Sequence, residues 1–278
     1  MKLSVVLATR NEQENIGPCL KSVRGIADEI IVMDERSTDR TKEIAESFGA
    51  KVYEVKHEEI FHKTKQKALE KATGDWILQL DADERVTPKL AREVKRVLGG
   101  KVFESKNKLF GRHQKSVEKL WGKTWWDEGE VVAYFIPRIN MFLGKPLIHA
   151  GVYPDGVVRL FKNGRARFPA KSVHEIAQVD GRVGWLTGAL THHDSPTLRR
   201  YLARANRYTS LTAQELQTDK TPKNLLVLFV YSFIKPLATF LKLYFRHKGF
   251  LDGMRGFLWS FFSALHFPIA YWKYWVNR

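Results

Sequence analysis

The strongest constraint on the fold is the alternation of short apolar segments with helical segments over the first hundred residues. Three segments are almost continuously apolar, at positions 3–8, 29–33 and 76–80, and a further strand is predicted at 51–55. Such segments are typical of parallel strands covered on both faces. Apolar residues at helical spacing predict a helix at 14–23, and residues typical of helix starts and ends predict others at 41–48, 63–72 and 88–98. The pattern predicts an α/β fold, a doubly wound and mostly parallel sheet with right-handed crossovers.

Polar residues gather where three of the predicted strands end, at 9–12, 34–36 and 81–84. Ligands of open α/β sheets bind outside the carboxyl ends of the strands. We therefore expect the three loops to converge on one crevice.

Asp81 and Asp83 follow the fourth predicted strand. Two neighbouring carboxylates repel each other unless a cation lies between them, and oxygen ligands of this kind suit Mg²⁺ or Mn²⁺ holding a diphosphate. The alternative is an acidic loop that caps the helix beginning near Pro88. The position of the pair, in line with the other two polar loops, favours the metal.

Asp34 ends the second predicted strand, where a carboxylate can accept hydrogen bonds from a base or a ribose hydroxyl. Helix capping is the alternative, but Ser37 and Asp39 are better placed for it. Residues 9–12 would present backbone and short polar groups to the same nucleotide; the alternative is an ordinary polar loop. For Lys65 and Lys67 the sequence allows either contact with a ligand or a solvated helix face.

The 278-residue chain carries a formal net charge of +16, which implies an anionic partner such as nucleic acid, anionic lipid or a nucleoside diphosphate. The lone cysteine, Cys19, is compatible with a reducing cytoplasm, and the apolar start is too short for a signal peptide. We expect a catalytic part in the cytoplasm.

The composition changes at about residue 223. Residues 223–278 hold eight lysines or arginines, one acid and many aromatic residues, a pattern that suits the lipid headgroup boundary. Pro236 and Pro268 are expected to break the apolar stretches short of a span. The sequence thus predicts a catalytic domain over 1–222 and membrane helices over 223–278, in-plane or re-entrant in preference to spanning helices or a soluble cap. No element is predicted with confidence between 100 and 151.

The chain resembles glycosyltransferase family 2, whose nucleotide-sugar-binding fold is called GT-A. The matching stretches are LSVVLATRNE at 3–12, IVMDERSTDRT at 31–41 and ATGDWILQLDADE at 72–84. Later stretches resemble the branch that contains bacterial lipopolysaccharide core glucosyltransferases: RLFK at 159–162, VHE at 173–175, His192, NRY at 206–208 and GFLDG at 249–253.

The resemblance implies an inverting transferase that depends on a divalent metal, Mg²⁺ or Mn²⁺. It implies that Asp83, with help from Asp81, binds the metal, and that Asp34 holds the nucleoside together with Ala8, Thr9 and Glu12. Glu175 is the expected catalytic base, with His174 where the family often has an acid. His192 is a candidate third ligand or diphosphate contact, although a lone histidine is more often structural. Arg159 and Arg207 are candidate phosphate contacts, although helix arginines are usually solvated.

The leading hypothesis is transfer of a hexose from a UDP-linked sugar to a lipid-linked or lipopolysaccharide-core-type saccharide. The reaction would take place at the cytoplasmic face of a bacterial inner membrane. A polyprenyl-phosphate glycosyltransferase is the alternative among enzymes. A catalytically inactive membrane scaffold of the same fold and a basic nucleic-acid-binding module stay open as non-enzymatic readings. The acidic loops at the predicted crevice argue against nucleic acid as the partner.

Overall fold

The computed structural model describes residues 1–103, 111, 113–115, 117–118, 129–169 and 177–276. The chain forms two compact units. The first contains 1–138 and 154–192, and the second contains 139–153 and 193–278. The division at 222 proposed from the sequence follows composition rather than compactness and stays a prediction.

The first unit is built on a sheet with helices. Its helices are α1 (Ile16–Val23), α2 (Thr41–Ser47), α3 (Phe61–Glu70) and α4 (Pro88–Leu98). Its strands are β1 (Leu3–Thr9), β2 (Glu29–Asp34), β3 (Lys51–Glu54), β4 (Trp76–Leu80) and β5 (Glu84–Val86), then β6 (Val131–Phe142), β8 (Asp155–Lys162), β9 (Ala166–Arg167), β10 (Gln178–Val179), β11 (Arg182–Trp185) and β12 (Leu190–Ser195). Strands β6 and β12 continue into the second unit.

The described strands of the main sheet follow the order β3-β2-β1-β4-β8-β6-β12-β5, with β11 beside β6. The first four are parallel, as expected from the sequence. Beyond β4 the sheet is mixed, because β8 joins β4 in the antiparallel direction and β6 joins β8 likewise. The α/β class is confirmed. The parallel pairs are those among β1 to β4, which the sequence pattern predicted, and the pair of β11 with β6, which it did not.

Local chemistry explains the ends of these elements. Every residue of β1 is buried, as its unbroken apolar run predicts. The Thr87 side chain caps α4 by accepting from the Leu90 backbone N–H, Pro88 occupies the first turn, and Gly99 follows the last residue. Gly74 is required before β4 because a Cβ there would lie 2.7 Å from the Ser4 hydroxyl.

The second unit is mainly helical. It contains β7 (Lys145–Leu147), α5 (Leu198–Thr218), α6 (Leu225–Arg246), a 3₁₀ turn (Gly249–Asp252) and α7 (Met254–Val276). Residues of α5 and α7 line a cavity of about 440 Å³ whose walls include Tyr201, Trp259 and Phe262.

The expectation that the two prolines break the apolar tail is wrong. Helix α6 continues past Pro236 because a π turn at Val230–Ile234 precedes it, in which the Lys235 N–H bonds to the Val230 carbonyl five residues back. Helix α7 continues past Pro268, and the buried Tyr271 and Tyr274 beyond it pack with residues of α5. By length and composition alone, α6 could cross a membrane, and it is the one such helix among the described residues.

Candidate active site

The polar loops after β1, β2 and β4 lie at one edge of the sheet. In the parallel register Thr9 pairs with Asp34 and Leu7 pairs with Leu80. Neighbouring strands are about 4.8 Å apart, so the ends of β2 and β4 lie about 10 Å from each other across β1. The three loops therefore share one edge of the sheet, as expected, and the crevice between them stays a prediction.

Asp34 is buried at the end of β2, and its carboxylate is held on two sides. It accepts hydrogen bonds from the Ser37 backbone N–H at 2.8 Å, the Ser37 hydroxyl at 2.5 Å and the Thr9 hydroxyl at 3.2 Å. Asp39, and not Asp34, accepts from the N–H of Thr41, the first residue of α2. The carboxylate of Asp34 is therefore fixed in orientation without serving as the cap of α2.

The loop between β1 and α1 is bonded to the loop between β2 and α2. The Asn11 N–H donates to the Ser37 hydroxyl at 2.8 Å, and its side-chain oxygen accepts from the Thr38 N–H at 2.8 Å. The Glu12 N–H donates to the Thr41 hydroxyl at 2.7 Å. Asn11 adopts a positive φ of 55°, a conformation that asparagine tolerates well. These bonds hold two of the three polar loops together.

Asp81 is the anion of a mostly buried ion-pair network. Its carboxylate contacts the Arg159 guanidinium at 2.5 Å and the Lys65 ammonium at 2.5 Å. Arg159 also bonds to Glu84 at 2.8 Å and to the Gln79 side chain, both of them fully buried. Burial acts to raise the pKa of Asp81, but the charges of Arg159 and Lys65 outweigh it and hold that pKa well below its usual value.

Lys65 does not lie on a solvated helix face, which is one of the two alternatives that the sequence allows. Its side chain is only 8% exposed, and burial lowers the pKa of its ammonium despite the attraction of Asp81. The solvated-face interpretation holds for Lys67, which is 41% exposed and pairs with Glu58. Sequence reasoning missed Glu84 and Gln79, although a glutamine within an apolar strand run was a usable signal.

Asp83 lies on the other side of the same turn, next to His192. Strand β12 pairs antiparallel with β5 so that His192 lies opposite Glu84, and its Nε2 is 3.5 Å from Asp83 Oδ2. Burial acts to raise the pKa of Asp83, but the hydrogen bond from His192 lowers it overall. The structure thus brings together two of the residues predicted to bind metal.

The two side chains fit the coordination of one small divalent cation. Neighbouring ligands of an octahedral Mg²⁺ or Mn²⁺ lie about 3 Å apart, close to the separation of Asp83 and His192. No group of three or more histidine, cysteine, aspartate or glutamate side chains with metal-binding geometry occurs within the described ranges. Such a cation would therefore need further ligands, which phosphate oxygens and water commonly supply. Asp81 offers less, because two cations already share its carboxylate.

The roles of three further predicted site residues are not tested by this geometry. Arg207 is exposed on α5, in the second unit. His174 and Glu175, the predicted catalytic pair, lie outside the described residues. Their roles stay predictions.

Comparison with known proteins identifies the family of the chain. The sequence profile described as glycosyl transferase family 2 matches residues 4–122. An uncharacterized glycosyltransferase of Rickettsia bellii is 30% identical over 270 aligned residues, which cover 91% of this chain and 81% of the relative. The chain belongs to glycosyltransferase family 2.

A second relative points to one branch of family 2. The lipopolysaccharide core biosynthesis glycosyltransferase LpsC of Rhizobium meliloti is 25% identical over 278 aligned residues, covering 95% of this chain and 91% of LpsC. The family 2 chain therefore resembles lipopolysaccharide core glycosyltransferases along nearly its whole length, as its later motifs predicted.

A solved structure supports the fold. The mannosyltransferase PcManGT of Pyrobaculum calidifontis, in complex with GDP-Man and Mn²⁺, aligns with a TM-score of 0.51 and 13% identity over all of this chain and 88% of PcManGT. This family 2 chain has the GT-A fold, with apolar helices at its C-terminal end.

Proposed function

We propose that the chain is an inverting, metal-dependent glycosyltransferase that moves a hexose from a uridine-diphosphate sugar to a lipid-linked or lipopolysaccharide-core-type saccharide. The observation that carries the proposal is the Asp83–His192 pair at 3.5 Å, beside the sheet edge where Asp34 is fixed in orientation. Membership of family 2 and the similarity to LpsC support transfer of a sugar to a saccharide of the cell envelope.

The nucleoside would bind at the ends of β1 and β2. Asp34 would accept hydrogen bonds from the base or the ribose, and Ala8, Thr9 and Glu12 would form the adjoining wall. The bonds from Ser37 and Thr9 orient the Asp34 carboxylate before a ligand arrives, which reduces the ordering cost of binding.

Asp83 and His192 would hold a divalent metal, Mg²⁺ or Mn²⁺, with Asp81 as a weaker ligand. The metal would neutralise the charge that develops on the leaving diphosphate. The same diphosphate would meet the cationic side of the Asp81 network, where the Arg159 guanidinium lies.

On the acceptor side, a hydroxyl oxygen would form the new bond to the anomeric carbon as the bond from that carbon to the diphosphate breaks, with inversion. Glu175 would take the hydroxyl proton, with His174 orienting it. Arg207 would contact a phosphate. These three assignments rest on the family resemblance alone.

Calorimetric titration of UDP, GDP and TDP, each with Mn²⁺, Mg²⁺ or chelator, tests the donor site. We expect metal-dependent binding of UDP that is lost in Asp83→Ala and weakened in Asp34→Asn. Lys67→Ala is the matched control, because this lysine pairs with Glu58. Binding that survives chelator and Asp83→Ala would refute the metal assignment, and binding of none of the nucleotides would refute the transferase proposal.

Glu175→Gln tests the base. The expected result is unchanged UDP binding with at least a hundredfold loss of transfer. Near-normal transfer would instead favour the polyprenyl-phosphate acceptor, whose phosphate oxygen needs no strong base.

We further propose that the enzyme works at the cytoplasmic face of a bacterial inner membrane. The tail from 223 to 278 supports this, because it combines apolar helices with eight cations and one acid.

A further inference from the structure

Helix α6 presents a row of large apolar side chains to solvent. The row consists of every fourth residue along the helix: Leu225, Phe229, Phe233, Leu237, Leu241 and Phe245. Their exposed fractions run from 45% at Leu241 to 79% at Leu225. A continuous exposed apolar row of this kind marks an interaction surface.

Two π turns keep the row on one side of α6. In an α-helix four residues turn through roughly 400°, so a row spaced by four drifts round the helix by about 40° per step. A π turn holds more residues and rotates the row back. The π turns of α6 lie at Val230–Ile234 and Lys242–Arg246, spread along its length.

The opposite face of α6 is covered by α7. Tyr231 stacks on Tyr271 with ring centroids 4.6 Å apart, and Phe240 meets Phe257 edge-on at 5.8 Å. The ammonium of Lys235, in the middle of α6, lies 3.4 Å from the centroid of the Tyr231 ring on this covered face. The row is therefore left without a lysine in its centre.

The packing of α7 on α5 decides how α6 can meet a lipid bilayer. Tyr201 of α5 contacts Trp259 near the beginning of α7, and Leu216 of α5 clusters with Tyr271 and Tyr274 near its end. If α6 crossed the bilayer, α7 and then α5 would lie at the same depth. Helix α5 carries several charged residues along its length: Arg199, Arg200, Arg204, Arg207 and Glu215. Charges inside a bilayer are costly, so this packing disfavours a span.

We propose that α6 lies in the membrane plane, with the row sunk into the boundary between headgroups and acyl chains of an anionic bilayer. Exposed cations stand at both ends of the helix, at Lys223 on one side and at Lys242, Arg246 and Lys248 on the other. Cations on both sides fit one leaflet of anionic headgroups. The inference uses the proposed function only in taking a membrane as the partner.

Labelling with a membrane-impermeant maleimide tests the orientation, because Cys19 is fully buried and gives little background. Full-length Lys223→Cys, Phe233→Cys and Arg246→Cys are added to preformed phosphatidylethanolamine vesicles containing about a quarter phosphatidylglycerol. We expect both end positions to label from outside in bound protein. Phe233→Cys should label readily in solution. On vesicles its labelling rate should fall at least tenfold.

Three results would overturn the proposal. Protection of one end position until detergent is added would mean that α6 spans. Protection of Phe233→Cys without vesicles would mean that another copy of the chain covers the row. Equal labelling of Phe233→Cys with and without vesicles would also refute insertion.

Vesicle flotation independently measures how strongly the protein partitions onto the membrane. Leu237→Asp should reduce partitioning at least tenfold, whereas Leu198→Asp, which also replaces an exposed leucine but lies on α5, should leave it near the parent value. Equal effects of the two variants would refute the row as the binding surface. UDP binding, measured without lipid, should survive in Leu237→Asp, so failure of the membrane proposal is distinguishable from failure of the donor site.

Discussion

Replacing Arg159 by methionine tests whether the ion-pair network at the candidate site is a structural necessity. Methionine keeps much of the length of the arginine side chain and removes its charge and its hydrogen bonds. Arg159 is 6% exposed and contacts two carboxylates, Asp81 at 2.5 Å and Glu84 at 2.8 Å. Removing one partner of a buried ion pair costs roughly 3–5 kcal/mol, because the other charge is left uncompensated.

The remaining contacts place the expected loss at the lower end of that range. Asp81 keeps the Lys65 ammonium at 2.5 Å and is 26% exposed, and Glu84 keeps the Arg138 guanidinium at 3.3 Å. We therefore expect Arg159→Met to lower the free energy of unfolding by about 3 kcal/mol at pH 7. The matched control is Arg167→Met, whose pair with Asp180 is half exposed, with an expected loss under about 1 kcal/mol.

The contribution of the ion-pair network to the free energy of unfolding should depend on pH with a definite sign. The charges of Arg159 and Lys65 hold the pKa of Asp81 below its usual value, so the network contributes stability above that value and loses it as the pH falls. In Arg159→Met, Asp81 protonates at a higher pH, which relieves its uncompensated charge. The difference between parent and variant should therefore narrow as the pH falls below about 4.

Urea unfolding, followed by tryptophan fluorescence and circular dichroism, measures both quantities. A loss in Arg159→Met no larger than that in Arg167→Met would refute the reasoning. A difference that widens in acid would refute its electrostatic part.

The same unfolding assay checks two further predictions. Gly188→Ala should lose at least about 3 kcal/mol, because its Cβ would lie 2.4 Å from backbone atoms of Leu90, whereas Gly25→Ala, with nothing within 4 Å, should be neutral or slightly stabilising. Hydrogen bonds from Ser4 and Thr73 outweigh the opposing effect of burial and lower the pKa of Glu29 to about 2. Glu29→Gln should therefore lose about 2 kcal/mol at pH 7, a difference that disappears as the pH falls from about 4.5 to about 2; a constant difference would contradict it.

The sequence predicted the first hundred residues well because the information there is local. The predicted helix at 88–98 has the bounds of α4, since a threonine cap, a proline in the first turn and a final glycine define it within the segment itself. Strands β1, β2 and β4 were predicted to within one residue, because strands covered on both faces give nearly continuous apolar runs.

Strand β6 was missed because distant residues stabilise it. Its sequence contains Pro137 and Arg138, which interrupt an otherwise apolar run. Arg138 is accommodated by Asp155 at 2.7 Å, which lies on the neighbouring strand β8, and by Glu84 at 3.3 Å. Partners 17 and 54 residues away leave no local pattern. For the same reason the burial of Lys65 was not predictable from the polar helix that carries it.

The two aspartates after β4 show what a short motif can and cannot predict. Side chains two residues apart on a strand share one face, so the spacing alone suggests two equivalent ligands. The chain turns between them, because the Glu84 N–H bonds to the Asp81 carbonyl at 2.9 Å. Asp81 is therefore directed to Arg159 and Lys65, and Asp83 to His192. Of the two aspartates, Asp83 has its carboxylate beside a potential metal ligand, whereas that of Asp81 lies between two cations. Loss of Asp83 should therefore have the larger effect on metal-dependent nucleotide binding. Loss of Asp81 should have the larger effect on stability.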